Sequence, residues 1–262
     1  MNHSLAARAF VALALVALVL SSARAESASF RNDIMPLLSM AGCNAGACHG
    51  NANGKASFKL SLRGENPDLD FLALTRDQFA RRVDPLAPEQ SLILLKPTTA
   101  IAHEGGQRFK KNSAEYNLLK SWIAEGAADD LATAPALDHI EATPSEQVLI
   151  EPASQVQIHA RAYFKNSAER DITSTAVYES SNPSVKISAN GLVESASFGE
   201  ATILVRFLNQ QVPVRLAFIP ARPNFKWSRP RENNFIDRAI FAKLRSLRTA
   251  PSPQAGDEIF LR

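Results

Sequence analysis

Gln155-Val-Gln-Ile-His-Ala-Arg-Ala-Tyr-Phe164 alternates without a break: Val156, Ile158, Ala160, Ala162 and Phe164 fall on one parity, and Gln155, Gln157, His159, Arg161 and Tyr163 on the other. Successive strand side chains point to opposite faces, so this period of two predicts a half-buried strand. The pattern returns further on, where Ala201, Ile203, Val205 and Phe207 alternate with Thr202, Leu204, Arg206 and Leu208. Lys165-Asn166-Ser167, Ser181-Asn182-Pro183 and Asn190-Gly191 supply turn residues between short strands. Such spacing predicts a β-sandwich over residues 137–220. It carries no catalytic or metal-ligating constellation; His139 at its entry and His159 on its polar face read as solvated.

Upstream, the period changes. An Ala/Asp/Thr/Pro-rich stretch, Ala127 to Pro135, marks a boundary, with a linker placed at 131–136. Residues 26–130 read as short helices separated by loops. Phe30, Ile34, Leu37 and Leu38 recur at helical spacing, with Asn32 or Asp33 near the start and Pro36 suited to a first turn. Asn112 and Ser113 are cap residues, Glu115 stands where a capping-box acid would, and Leu118, Leu119, Trp122 and Ile123 form a stripe closed by Gly126. Between these helices lie Gly/Asn-rich and Pro-rich loops at 51–54, 85–88 and 96–106. The expected fold class is therefore multi-domain, a small helical domain followed by an all-β sandwich and a short helical C-terminal stub.

The helical region holds the chain's two cysteines, in Cys43-Asn-Ala-Gly-Ala-Cys48-His49. Two thiols followed directly by histidine are the elements of covalent c-type haem attachment, each thiol adding to one vinyl group and His49 serving as proximal iron ligand. The usual spacing has two intervening residues; here there are four, and Gly46 between small alanines lets the chain bulge. The same pair could instead form a small disulfide, leaving His49 a loop residue. Structural zinc usually takes four Cys/His ligands, which two cysteines do not supply.

The N-terminus bears on that choice. Met1 to Ala9 carries Arg8 and no acid, Phe10 to Leu20 is apolar throughout, and Ala23-Arg24-Ala25 presents small residues for cleavage, so residues 1–25 read as a secretory signal peptide. The apolar run is shorter than the roughly 20 residues of a membrane span, and the mature chain is expected to have none. The expected localisation is exported, periplasmic or at the cell surface. The net charge of +3 falls to +1 once Arg8 and Arg24 are removed. Lys110-Lys111 and Arg229 to Arg231 are short basic runs without the aromatic interleaving of a nucleic-acid surface, so nucleic acid is not an expected partner.

Phe30-Arg-Asn-Asp-Ile-Met-Pro-Leu-Leu38, Gly42-Cys-Asn-Ala-Gly-Ala-Cys-His-Gly50, Phe58-Lys-Leu-Ser-Leu-Arg-Gly64, Arg81-Arg82, Pro88 to Pro97 and Ser121-Trp-Ile123, in that order, resemble the planctomycete-type multi-domain cytochromes c. Tyr163 to Thr173, Ser181 to Val185, Asn190 to Val193 and Gly199 to Ile203 resemble a bacterial immunoglobulin-like domain of group 2. The resemblance implies a cytochrome c-like haem domain at 26–130, the immunoglobulin-like sandwich at 137–220, and at 221–262 a linker with the truncated start of a further helical domain, whose remainder would lie on a longer chain. It implies covalent haem c, with Cys43 and Cys48 as thioether donors and His49 on the iron. His103 stands where that family has a His-Gly-Gly stretch and is the candidate distal ligand, although Glu104 departs from the pattern; the alternative is a solvated loop histidine. Met35 and Met40 precede the motif and suit packing instead.

The function expected from these features is single-electron transfer by an exported c-type cytochrome, with the sandwich as spacer or docking module and an unidentified redox protein as partner. An electron carrier is favoured over an enzyme. The alternative is a cell-surface adhesion or scaffold protein with a Cys43–Cys48 disulfide and no haem.

Overall fold

The computed structural model describes residues 27–253 and 255–260. The signal-peptide reading of residues 1–25 lies outside them.

Ser29 opens the folded chain as a helix cap. Its hydroxyl accepts from the Asn32 amide at 2.9 Å, and its own amide donates to Asp33 Oδ2 at 2.8 Å, a reciprocal arrangement that satisfies two otherwise orphaned donors. A wide π-type turn, Phe30–Ile34, continues into the helix Met35–Met40, with Pro36 in the first turn where a missing amide costs nothing. Gly42 at φ +73° stops it. The helices Pro67–Thr75, Leu92–Leu95 and Ala114–Ala124 follow. Ser113 caps the last of these through the Tyr116 amide. Phe30, Leu74, Leu94, Leu119, Trp122 and Ile123 meet in one apolar core. Trp122 packs on Phe30, with ring centres 5.4 Å apart, and donates Nε1–H to the Ala128 carbonyl at 3.1 Å.

From Leu137 the chain is strand. β1 (Leu137–Thr143), β4 (His159–Phe164) and β5 (Glu169–Asp171) form one sheet in the order β1-β4-β5. β2 (Glu146–Ile150), β6 (Val177–Ser180), β9 (Gly199–Phe207) and β10 (Gln210–Ile219) form a second in the order β2-β10-β9-β6, with β2 parallel to β10. β3 (Gln155–Gln157), β7 (Val185–Ile187) and β8 (Leu192–Ser195) make the third, ordered β3-β8-β7. Alternation decides the faces: Ala160, Ala162 and Phe164 are buried while His159 and Arg161 are exposed. Ile158, Ile172, Val193, Ile203, Val205 and Val214, none of them solvent-accessible, form a second core, and Leu208 packs against both cores.

The expected fold class needs correction. The described chain is mostly sheet, three sheets and ten strands, and its helices are few and short, so no large helical cytochrome domain is present. Even the longest helix before Leu137 has only 11 residues. The cause lies in the loops: Gly/Asn at 51–54 and Pro at 85, 88 and 97 leave no uninterrupted stretch in which a helix could propagate. Much of 42–60 and 76–91 is turn structure.

After β10 the helix Phe235–Ser246 is capped by Asn234 and touches β9 through Lys243 and Glu200, 3.3 Å apart. Among the described residues no helix is long and apolar enough to cross a membrane.

Candidate functional site

The loop that leaves the 35–40 helix folds back on itself. The Cys43 amide donates to the Leu38 carbonyl at 2.9 Å, the His49 amide to the Cys43 carbonyl at 3.0 Å, and the Gly50 amide to the Ala45 carbonyl at 3.0 Å. A Cβ on Gly50 would stand 2.0 Å from the Asn44 carbonyl oxygen, so only glycine lets the loop close there. Asn44, itself buried, donates Nδ2–H to the Ser39 hydroxyl at 2.8 Å and ties the loop to the helix it left. Cys43 is thereby buried, and Cys48 and His49 are half-buried at the wall of a cleft of about 360 Å³.

The opposite wall comes from the 92–95 helix and the loop that follows. His103 lies on that loop, its ring centre 6.4 Å from that of His49 and the two planes within 11° of parallel. Each imidazole is held by a backbone carbonyl. His49 Nδ1–H donates to the Phe58 carbonyl at 3.0 Å, and His103 Nδ1–H donates to the Gly106 carbonyl at 2.9 Å. A carbonyl can only accept, so in each ring it is Nδ1 that carries a proton. Burial holds the His49 pKa below its ordinary value, against the opposing pull of the Phe58 carbonyl, and so favours the neutral ring. Gly105 makes room for the second ring: a Cβ there would lie 2.8 Å from His103 Cε1.

The cleft is apolar inside and cationic at its walls and rim. Phe58, Leu92, Ile93 and Pro97 line it, together with Lys55, Arg81, Arg82, Lys96 and Arg108, against a single acid, Glu104. Arg108 Nη2 lies 3.4 Å from Cys48 Sγ.

All four sequence-predicted site residues, Cys43, Cys48, His49 and His103, thus meet at one cleft. The covalent haem c expected there is nevertheless overturned. The cysteines are not in Cys-x-x-Cys-His spacing, and among the described residues no group of three or more His, Cys, Asp or Glu side chains is placed to hold a metal ion. Cys43 also fits the chemistry poorly: burial pushes its thiol up to about 11, which keeps it protonated, whereas the thiolate is the reactive form. Both cysteines are free thiols. Trp122, from the predicted stripe of the last helix, packs on Phe30 and Phe71 in the core and does not line the cleft.

Sequence reasoning missed the carbonyls of Phe58 and Gly106, because a backbone acceptor leaves no compositional trace. It also gave no role to Arg82 or Arg108. The adjacent pair Arg81-Arg82 was the available signal. No family model matches the chain, and no curated protein is similar to it.

Proposed function

We propose that the N-terminal unit binds a flat, anionic iron-porphyrin group without any thioether bond, between His49 and His103, and passes single electrons. The single observation that carries this reading is the near-parallel imidazole pair, each ring tied through Nδ1 to a backbone carbonyl. A metal held by two imidazole nitrogens at about 2.0–2.1 Å each separates the ring centres by about 6 Å, which the 6.4 Å spacing matches. A bare ion usually takes three or four protein ligands, whereas a metal that arrives with its own in-plane nitrogens needs two. The macrocycle would supply the one-electron chemistry.

The chain's own residues supply the rest. Phe58, Ile93 and Pro97 exclude water from a planar apolar ligand, Lys55, Lys96 and Arg108 at the rim suit its carboxylates, and the Phe58 and Gly106 carbonyls fix both imidazoles in the ligating tautomer. The sheets would act as spacer or docking module toward a redox partner protein. The signal-like composition of residues 1–25 supports an exported location.

Titration of the full chain with hemin tests this. A one-to-one, six-coordinate low-spin spectrum is expected, His103→Ala should convert it to high spin, and acid-acetone should extract the group. Absence of hemin binding, with Cys43 and Cys48 mapped as a disulfide, would leave the adhesion or scaffold reading in its place.

A further inference from the structure

Arg82 is a charged side chain inside the protein. It is only 5 % exposed, and its guanidinium hydrogen-bonds to carbonyls: Nη1 donates to Ala73 at 2.8 Å and to Asp77 at 3.3 Å, and Nη2 donates to Ser57 at 2.7 Å. Burying a guanidinium on neutral acceptors is costly, so its presence calls for a benefit beyond packing. The chain from Lys55 to Phe58 indicates what that benefit is.

Lys55 and Phe58 bridge each other, amide to carbonyl, at 2.9 Å in both directions. To close so tight a turn, Ala56 and Ser57 take φ values of +48° and +58°, a left-handed conformation that is unfavourable for a residue with a Cβ. Such strain persists only where the surroundings impose it. Arg82 does so at two points. Its Nη2 holds the Ser57 carbonyl, and its guanidinium carbon lies 4.5 Å from the Phe58 ring centre, a cation–π contact. The other side of this clamp is His49, whose ring centre is 4.5 Å from that of Phe58 and whose Nδ1–H donates to the Phe58 carbonyl.

We propose that Arg82 is a positioning residue for His49: by holding the strained 55–58 turn at the Ser57 carbonyl and the Phe58 ring, it presents the Phe58 carbonyl that keeps the proton of the neutral His49 ring on Nδ1 rather than Nε2. Lysine cannot replace it, because the role uses a planar fork that donates to Ser57 on one side and to Ala73 and Asp77 on the other while lying over an aromatic ring. Ala73 and Asp77 flank the end of the 67–75 helix, so the fork couples the turn to a packed element. The significance of a bare Nε2 rests on the ligand role proposed for His49; the clamp itself does not.

Imidazole nitrogen NMR on the full chain, without any added metal or hemin and at a pH where the rings are neutral, reads the tautomer directly. The wild type should show His49 and His103 both protonated at Nδ1. Arg82→Met should move His49 toward the Nε2-protonated form, changing its tautomer ratio roughly two- to ten-fold, the range that one net hydrogen bond commands. His103, held by a different carbonyl, should not change, and neither ring should respond to Arg161→Met at an exposed position of β4 outside the cleft. A folded Arg82→Met chain with an unchanged His49 tautomer overturns the proposal, as does a wild type in which His49 is not Nδ1-protonated. Should Arg82→Met fail to fold, Arg82→Lys takes its place, and the same two outcomes decide. Failure of hemin to bind the wild type would instead count against the ligand role and leave the clamp standing.

Discussion

Arg170 on β5 donates Nη1–H to Asp33 Oδ1 at 2.6 Å and to the Asn32 carbonyl at 3.0 Å, joining the sheets to the first turn of the N-terminal unit across more than 130 residues of chain. Asn32 Nδ2 reaches the Pro135 carbonyl at 3.1 Å and Asp130 Oδ1 accepts from the Arg31 amide at 3.1 Å, so the linker is held in the same place. The two apolar cores are distinct clusters that, among the described residues, meet only at Leu208, which packs against both. Polar contacts of this kind set how far one unit feels the unfolding of the other.

Arg170→Ala should therefore lower the stability of the N-terminal unit by about 0.5–1 kcal/mol, the worth of a partly exposed ion pair, with a smaller effect on the sheets. Calorimetry would show a wider gap between two unfolding steps. A double-mutant cycle with Asp33→Asn that returns no coupling energy would remove the latch from the account.

Thiol chemistry should differ sharply between the two cysteines. Cys43 is 7 % exposed, with its thiol pushed up to about 11 by burial, whereas Cys48 is half-buried at the cleft wall. Brief treatment of the native chain with iodoacetamide near neutral pH should alkylate Cys48 first, with Cys43 reacting only after denaturation. Peptide mass mapping that finds both modified at equal rates would mean the 43–50 loop opens readily.

Asp70 provides a pH dependence. Only 1 % exposed, it accepts from the Ser61 amide at 2.5 Å and the Ser61 hydroxyl at 2.6 Å; burial nonetheless raises its pKa, the Ser61 hydrogen bonds opposing that shift. A folded value above the unfolded one means the folded chain holds the proton more tightly. The resulting stability is fully present below the ordinary aspartate range, about 3.9, and is lost as pH rises through the folded value. The stability of wild type relative to Asp70→Asn should thus fall as pH rises from the acid side through that value. Urea midpoints measured across that window check the sign; an advantage that grows with pH would show that the Ser61 donors outweigh desolvation.

The strands at 155–164 and 199–207 could be read from the chain because period two is a local property: each residue's parity assigns its face. Much the same holds for the cap Ser113, whereas the first helix starts earlier than the expected Asn32 or Asp33: Ser29 is its cap and Phe30 already lies in the first turn. The extent of helix was not legible. Apolar spacing marked where helices lie, but turns closed by non-glycine residues at positive φ, Ala56, Ser57 and Gln78 to Ala80 among them, took up much of the chain between. Those conformations are unfavourable locally and are paid for by distant contacts such as that of Arg82 with Ser57.

By itself the sequence determined which residues bear chemistry, Cys43, Cys48, His49 and His103, and where strand periodicity begins. Only the tertiary structure decided that the two imidazoles meet across one cleft with Nδ1 held by backbone carbonyls, that Cys43 is buried while Cys48 stands at the cleft wall, and that Arg82 contacts the turn that carries Phe58. The physical reason is range. Parity and capping act within a few residues, whereas burial, tautomer and the environment of a thiol are set by groups that the fold brings together from far along the chain.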